Sequence, residues 1–267
     1  MRLGIEVDLE YRFAEPADVL LQIEAAVTAG QKIVHEALTI WSDDPIRAVI
    51  GEDGMGQRCW SRGRDNWQAS YRATVSVDRP AIDMTTLPAT APRDLDGHLV
   101  PYLLPSRYCP ADRFEGFVKR EFSGLEGGAL AAALVDWVAD ALTYENSQTT
   151  GETTALETFA SRGGVCRDYA HLLVSLARAG NIPARCVSAY APGVDPPDFH
   201  AVAELWLNGA WHLADATRMA ACGDLAQVAV GRDASDIAFM TVFGRAELVH
   251  QTVRVIRLQE RETPMGR

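Results

Sequence analysis

The sequence predicts an α+β fold: a strand-rich, antiparallel β-sandwich-like first part, then a core of helices and strands. Three observations carry this expectation. Leu3, Ile5, Val7, Leu9, Tyr11 and Phe13 alternate with Arg2, Gly4, Glu6, Asp8, Glu10 and Arg12, the period of a strand with one buried face. Turn signals then recur between short apolar runs through the first third of the chain. Beyond that, alanine- and leucine-rich helical stretches lead into two alternating runs joined by Asn208-Gly209.

In the first part, Pro16 is expected to end the opening strand. Further strand-like runs are Val19 to Ala26, Ile33 to Trp41, Ile46 to Ile50 and Trp67 to Val77. Asp43-Asp44-Pro45, Asp53-Gly54 and Gly63 supply the turns between them. Short strands with frequent turns predict an antiparallel sandwich over residues 1–85. Residues 86–112 carry Pro88, Pro92, Pro101, Pro105 and Pro110 and read as an extended connector.

Residues 113–267 form the second expected domain. Ala129 to Tyr144 reads as a helix. Thr154-Ala155-Leu156-Glu157 is a capping-box pattern, and the short helix it starts stops at Gly163-Gly164. A third helix begins at or near Cys166. At about 100° per residue, Tyr169, Ala170, Leu172, Leu173, Val174, Leu176 and Ala177 form one apolar arc centred close to Cys166. Arg167, Asp168, His171, Ser175 and Arg178 fall on the other side, so the thiol points into the protein. Gly180 ends this helix and Pro183 enforces the break. Strands follow at 185–190, 200–207 and 210–217, with a last one at about 248–258.

Composition narrows the function classes. The 267 residues are 48% hydrophobic and 23% charged, ordinary for a globular chain. The net charge of −11 argues against a general nucleic-acid binder, which needs a basic footprint. Arg58, Arg62, Arg64 and Arg72 interleave with Trp60, Trp67 and Tyr71. That pattern can mark a single-strand platform, but an amphipathic hairpin with a solvated arginine face suits the acidic whole better. Five widely spaced cysteines do not form a disulfide framework or a zinc pattern. The N-terminus lacks an apolar leader segment, and no run of about 18 apolar residues occurs. The expectation is a cytoplasmic protein without membrane, metal or cofactor.

Three residues carry the chemistry: Cys166, His200 and Asp215. A two-residue loop at Asn208-Gly209 pairs Leu207 with Ala210 and Trp206 with Trp211. Counting back puts His200, Val202, Asp215 and Thr217 on one face and His212 on the other. His200 and Asp215 are then diagonal neighbours within reach of a hydrogen bond. A thiol at a helix N-terminus is acidified by unpaired N–H groups. An imidazole takes and returns the proton, and a carboxylate fixes its tautomer. The Cys166 N–H supplies one oxyanion donor; Tyr144 and Gln148 are candidates for a second.

Each residue also has a structural reading. A lone helical cysteine is usually a small core hydrophobe, and Asp215 can cap a turn. Cys59, Cys109, Cys186 and Cys222 keep that reading. His171 lies roughly 140° round the helix from Cys166, and a Cys166/His171/His200 zinc site lacks ligand spacing. Asp233, Ser235 and Asp236 read as a polar turn in preference to a cleft border or cation site.

Gly163-Gly164-Val165-Cys166-Arg167-Asp168-Tyr169-Ala170-His171, Gly180-Asn181-Ile182-Pro183-Ala184-Arg185, His200-Ala201 and Trp211-His212-Leu213-Ala214-Asp215-Ala216-Thr217 together resemble the core of the transglutaminase-like superfamily. The resemblance is closest over about residues 125–220. It is nearest to a bacterial branch regarded as candidate cysteine proteases. The resemblance implies a papain-like core and a Cys-His-Asp triad at Cys166, His200 and Asp215. Val202 stands where the family usually has Trp, and Ala216 where it often has Pro.

The function expected is a thiol-dependent acyl hydrolase or transferase acting on peptide or protein amides through a thioester, with hydrolysis favoured. Protein-glutamine acyl transfer is the alternative, and a catalytically silent protein-binding scaffold is the third.

Overall fold

The computed structural model describes residues 1–42 and 44–258. Strand β1 (Arg2–Leu21) pairs along its length with β4 (Gln57–Val77), which also carries β2 (Gln31–Trp41) and β3 (Arg47–Ile50). All the pairings are antiparallel and belong to one six-stranded sheet. The run of separate short strands expected here is therefore corrected to two long strands with two shorter partners. Pro16 does not end β1, because it falls in a register break between Phe13 and Ala17, where its missing N–H costs no ladder bond. Gly63 does not turn the chain either. It pairs with Ala17, and a Cβ there would lie 2.3 Å from the Phe13 ring, so glycine lets the ring cover the bulge. Of the turn expected at Asp43-Asp44-Pro45, Asp43 lies outside the described residues.

The proline-rich stretch is not extended. It folds into 3₁₀ turns at Met84–Thr86, Pro92–Asp94, Gly97–Tyr102 and Ala111–Arg113 and buries Leu99, Tyr102 and Ala111. Proline's fixed φ suits the first turn of such helices. Helix α1 (Glu115–Glu121) follows, which the sequence reading missed. Helix α2 (Gly127–Ala141) stops before Tyr144, because β5 (Thr143–Tyr144) pairs in parallel with β6 (Gly163–Gly164). Between these strands lies α3 (Ala155–Ser161), and the Thr154 N–H donates to Glu157 Oε2 at 2.7 Å as the capping box predicts.

Helix α4 (Cys166–Ala179) is the centre of the molecule, with every residue from Asp168 to Arg178 buried. It packs on a four-stranded antiparallel sheet of order β10-β7-β8-β9: β7 (Ala184–Tyr190), β8 (His200–Leu207), β9 (Ala210–Ala214) and β10 (Ala226–Gly231). Helix α5 (Ala234–Ile237) and β11 (Met240–Phe243) lead to β12 (Glu247–Leu258). This last strand was expected in the second domain. It lies instead on the first sheet, antiparallel to β1 from Arg2↔Leu258 to Arg12↔Glu247. It covers a long apolar-patterned edge that would otherwise stay open. One buried apolar cluster runs from Leu3 and Tyr71 through Leu172 and Leu205, so the two sheets share a core. Among the described residues, no helix is long and apolar enough to cross a membrane.

Candidate active site

The turn before α4 is built around two glycines. Glu145 N–H donates to Gly164 O at 2.9 Å, and Val165 N–H donates to Asp168 Oδ2 at 2.9 Å. Asp168 is wholly buried, and a Cβ on Gly164 would come within 2.7 Å of its side chain. Arg167 holds the other carboxylate oxygen of Asp168 at 3.0 Å and reaches Thr149 Oγ1 at 2.6 Å. Cys166 thus starts the helix on a pinned turn, where its N–H has no partner within the helix. Its thiol is partly accessible and lies 3.9 Å from the Phe199 carbonyl oxygen.

The hairpin forms with the expected register. Asn208 and Gly209 have φ of 50° and 74°, the left-handed pair of a type I′ turn. Leu207 faces Ala210, Trp206 faces Trp211 and Ala203 faces Ala214. His200 begins β8 and Asp215 follows β9, and His200 Nε2 donates to Asp215 Oδ2 at 2.9 Å. Asp215 also accepts from Thr217 N–H (2.9 Å), Thr217 Oγ1 (2.6 Å) and Ala220 N–H (3.1 Å). Burial pushes this carboxyl up, but the bonds from His200 and Thr217 win and hold it below the usual range. For His200, burial pushes downward; the hydrogen bond to Asp215 and the neighbouring Cys166 sulfur outweigh it and raise the imidazole to about 9. With Nε2 on Asp215, buried Nδ1 has no other protein partner and is the nitrogen left for the sulfur. The fold therefore brings Cys166, His200 and Asp215 together.

The other candidates separate from this group. His212 donates to, or accepts at, no member of it: its Nε2–H meets Leu207 O at 3.1 Å. Gln148 gives its amide to Glu145 Oε1 at 3.1 Å on the surface. Tyr144 sets its ring 6.0 Å from that of Tyr169, on the first turn of α4. Asp233 accepts from Tyr108 and Ser235 N–H groups and Asp236 from Arg232, which makes that stretch a hydrogen-bonded polar turn. Arg62 and Arg72 pair with Asp18 and Asp8. Asp168 escaped the sequence reading as a site-building residue. Its signal was a carboxylate three residues after Val165, the spacing of a capping interaction.

His171 faces Cys109 and Cys186, and the ligand-type atoms of this buried trio lie within 4.8 Å of one another. Its Nε2 accepts the Ala234 N–H at 3.0 Å, so its proton sits on Nδ1 and the ring has no free lone pair for a cation. Burial pushes His171 down to about 4, and its ring stacks on Tyr108 at 5.1 Å. The trio is a neutral packing cluster.

Residues 119–216 match the family described as the transglutaminase-like superfamily. The crystal structure of a candidate cysteine protease from Cytophaga hutchinsonii superposes with a TM-score of 0.92 at 34% identity, over 99% of this chain and 93% of that one. The periplasmic domain of TgpA from Pseudomonas aeruginosa, bound to ethylmercury, gives 0.41 at 21% identity, over 79% and 76%. An uncharacterized protein of Mycobacterium leprae (strain TN) is 29% identical over 145 residues, 51% of this chain and 52% of that protein. The chain thus matches about half the length of this curated relative.

Proposed function

Because this chain belongs to the transglutaminase-like superfamily, we propose that it is a thiol-dependent acyl hydrolase or transferase of peptide or carboxamide bonds, with Cys166 as nucleophile, His200 as acid–base and Asp215 as its orienter. The observation that carries this reading is the His200 imidazole, held on Asp215 through Nε2 and left with Nδ1 for the sulfur.

The steps follow from that arrangement. The sulfur of Cys166, its proton resting on His200, forms a C–S bond to the amide carbonyl carbon as the C=O π pair moves to oxygen. The Cys166 N–H donates to that oxygen. As the C=O reforms, the C–N bond breaks, and the leaving amine takes the proton from His200. A thioester remains. Water, deprotonated by His200, then attacks it and releases a carboxylic acid and the thiol. An amine entering by the same route gives a new amide instead. Hydrolysis is the favoured outcome, in keeping with the likeness to a candidate cysteine protease. Five free cysteines suit a reducing compartment, and the cytoplasm is proposed on that ground.

The test is a Cys166→Ala protein assayed on a peptide library, beside mass spectrometry of a His200→Ala protein for an acyl adduct on Cys166. Loss of turnover with an adduct at Cys166 is expected. Full activity in Cys166→Ala would overturn the proposal. An unreactive Cys166 towards iodoacetamide would favour a silent scaffold.

A further inference from the structure

Two segments that adjoin the thiol each carry a carboxylate whose hydrogen bonds, among the described residues, come only from neutral groups: Asp198 and Glu145. We infer that these two charges make the site select acyl-donor peptides with a lysine or arginine side chain beside the scissile amide, Asp198 being the main contact. This names a substrate class for the thiol–acyl reading above and rests on that reading.

Asp198 is fixed from both sheets. Its Oδ1 accepts the Phe199 N–H at 2.7 Å, next to His200 on β8. The same oxygen accepts from Gln251 Nε2 on β12, also at 2.7 Å. The Phe199 carbonyl oxygen lies 3.9 Å from Cys166 Sγ. One residue's N and O are less than about 4 Å apart, so this carboxylate oxygen stays within about 11 Å of the sulfur. Asp198 is exposed, and its Oδ2 accepts from no group among the described residues. That oxygen is left for a donor from outside the protein.

Glu145 stands on the other side of the nucleophile turn. Its N–H holds Gly164 O, and a Cβ on Gly163 would lie 2.7 Å from its Oε1. Ser147 and Gln148 donate to the carboxylate, and neither brings a charge. The arginines carried by the same segments are engaged elsewhere. Arg167 pairs with Asp168, Arg218 with Asp136 and Asp140, and Arg162 lies over the rings of Trp137 and Phe159. The field at the thiol is therefore set by two carboxylates without counter-ions.

A substrate must bring its carbonyl carbon to bonding distance of Sγ. A long basic side chain one or two residues from that carbon can then span the remaining distance to Asp198. Its charge gains from both carboxylates, whereas an acidic side chain at the same place is repelled, so discrimination comes from attraction and repulsion together.

Paired peptides test this, each with arginine or its uncharged isostere citrulline at one of the two positions on either side of the scissile amide. At about 10 mM ionic strength the best arginine peptide should exceed its citrulline twin in kcat/KM by about fivefold. Asp198→Asn keeps the Oδ1 acceptor and removes the charge; it should lower that ratio about threefold, and Glu145→Gln should lower it less. Salt at about 1 M should collapse the ratio towards one. A loss of fold or of site geometry would slow both peptides alike, so the ratio reads charge alone. A ratio of one at every position, or a ratio untouched by both substitutions, would overturn the inference while leaving the thiol–acyl reading standing. A second measurement reads the field without acyl chemistry: disulfide formation at Cys166, followed by peptide mapping, with a trimethylammonioethyl or a sulfonatoethyl methanethiosulfonate. The cationic reagent should be favoured about fivefold beyond its advantage on 2-mercaptoethanol, and no excess would also overturn the inference. Cationic preference in these reagents with no peptide turned over by wild type would instead sink the thiol–acyl reading, and the substrate class with it.

Discussion

His200 Nε2 lies 2.9 Å from Asp215 Oδ2, and the opposite ring nitrogen is buried without any other protein partner. The carboxylate, held by Thr217 and Ala220 as well, therefore sets which face of the ring is offered to Cys166. Replacing Asp215 with Asn keeps the shape but lets the imidazole adopt the wrong tautomer. Turnover on any acyl substrate should fall by about 10²–10⁴-fold, with thermal stability changed far less. An NMR titration of His200 should show its midpoint moving down from about 9.

That raised midpoint also predicts a stability profile. Folded His200 binds its proton more tightly than the unfolded chain, whose histidine titrates near ~6.5. The ion pair with Asp215 contributes fully below that value and is lost as pH rises through about 9. Melting temperature should decline between these limits in wild type. The decline should be weaker in His200→Gln.

His171 works in the opposite direction. Its folded midpoint, about 4, lies below the ordinary histidine value because burial disfavours the charged ring. The unfolded chain takes up the proton first as pH falls, so stability should drop from about pH 6.5 towards about 4. His171→Gln keeps an acceptor for the Ala234 N–H and should flatten this acid limb.

Gly164 tests the turn before the nucleophile. A methyl group there would meet Asp168 at 2.7 Å. Gly164→Ala should cost about 1–3 kcal/mol by urea unfolding, as overpacking does, and should slow iodoacetamide alkylation of Cys166.

The hairpin turn is remote from the thiol but sets the register of His200. Gly209 has φ of 74°, where a β-branched residue is strained. Gly209→Val should destabilise by roughly 1–2 kcal/mol. Turnover should fall with it if register slips, because a one-residue slip turns His200 to the other face. A variant that loses stability but keeps wild-type turnover would show the register to be held by packing instead.

Much of the site was legible before any tertiary contact was known. Asn208-Gly209 between alternating runs specified the pairing of Leu207 with Ala210, and with it the common face of His200 and Asp215. The helical phase of Tyr169 to Ala177 placed Cys166 inward and His171 away from it. Pro16 and Gly63 misled because propensity reports what a residue tolerates, and both are tolerated inside strands at a bulge. The connector misled for a related reason: its prolines fit 3₁₀ turns as well as extended chain.

By itself the sequence determined the helices and strands around the site, the hairpin register, the start of α4 at Cys166 and the residue types able to act together. These depend on neighbours within a few residues, where periodicity and turn chemistry decide. Tertiary structure alone decided that β12 closes onto β1, that the first turn of α4 docks against the His200 face, and that Nδ1 of His200 is the free nitrogen. Each of those relationships joins residues far apart in the chain, and it is the packing of a shared core that sets their distance.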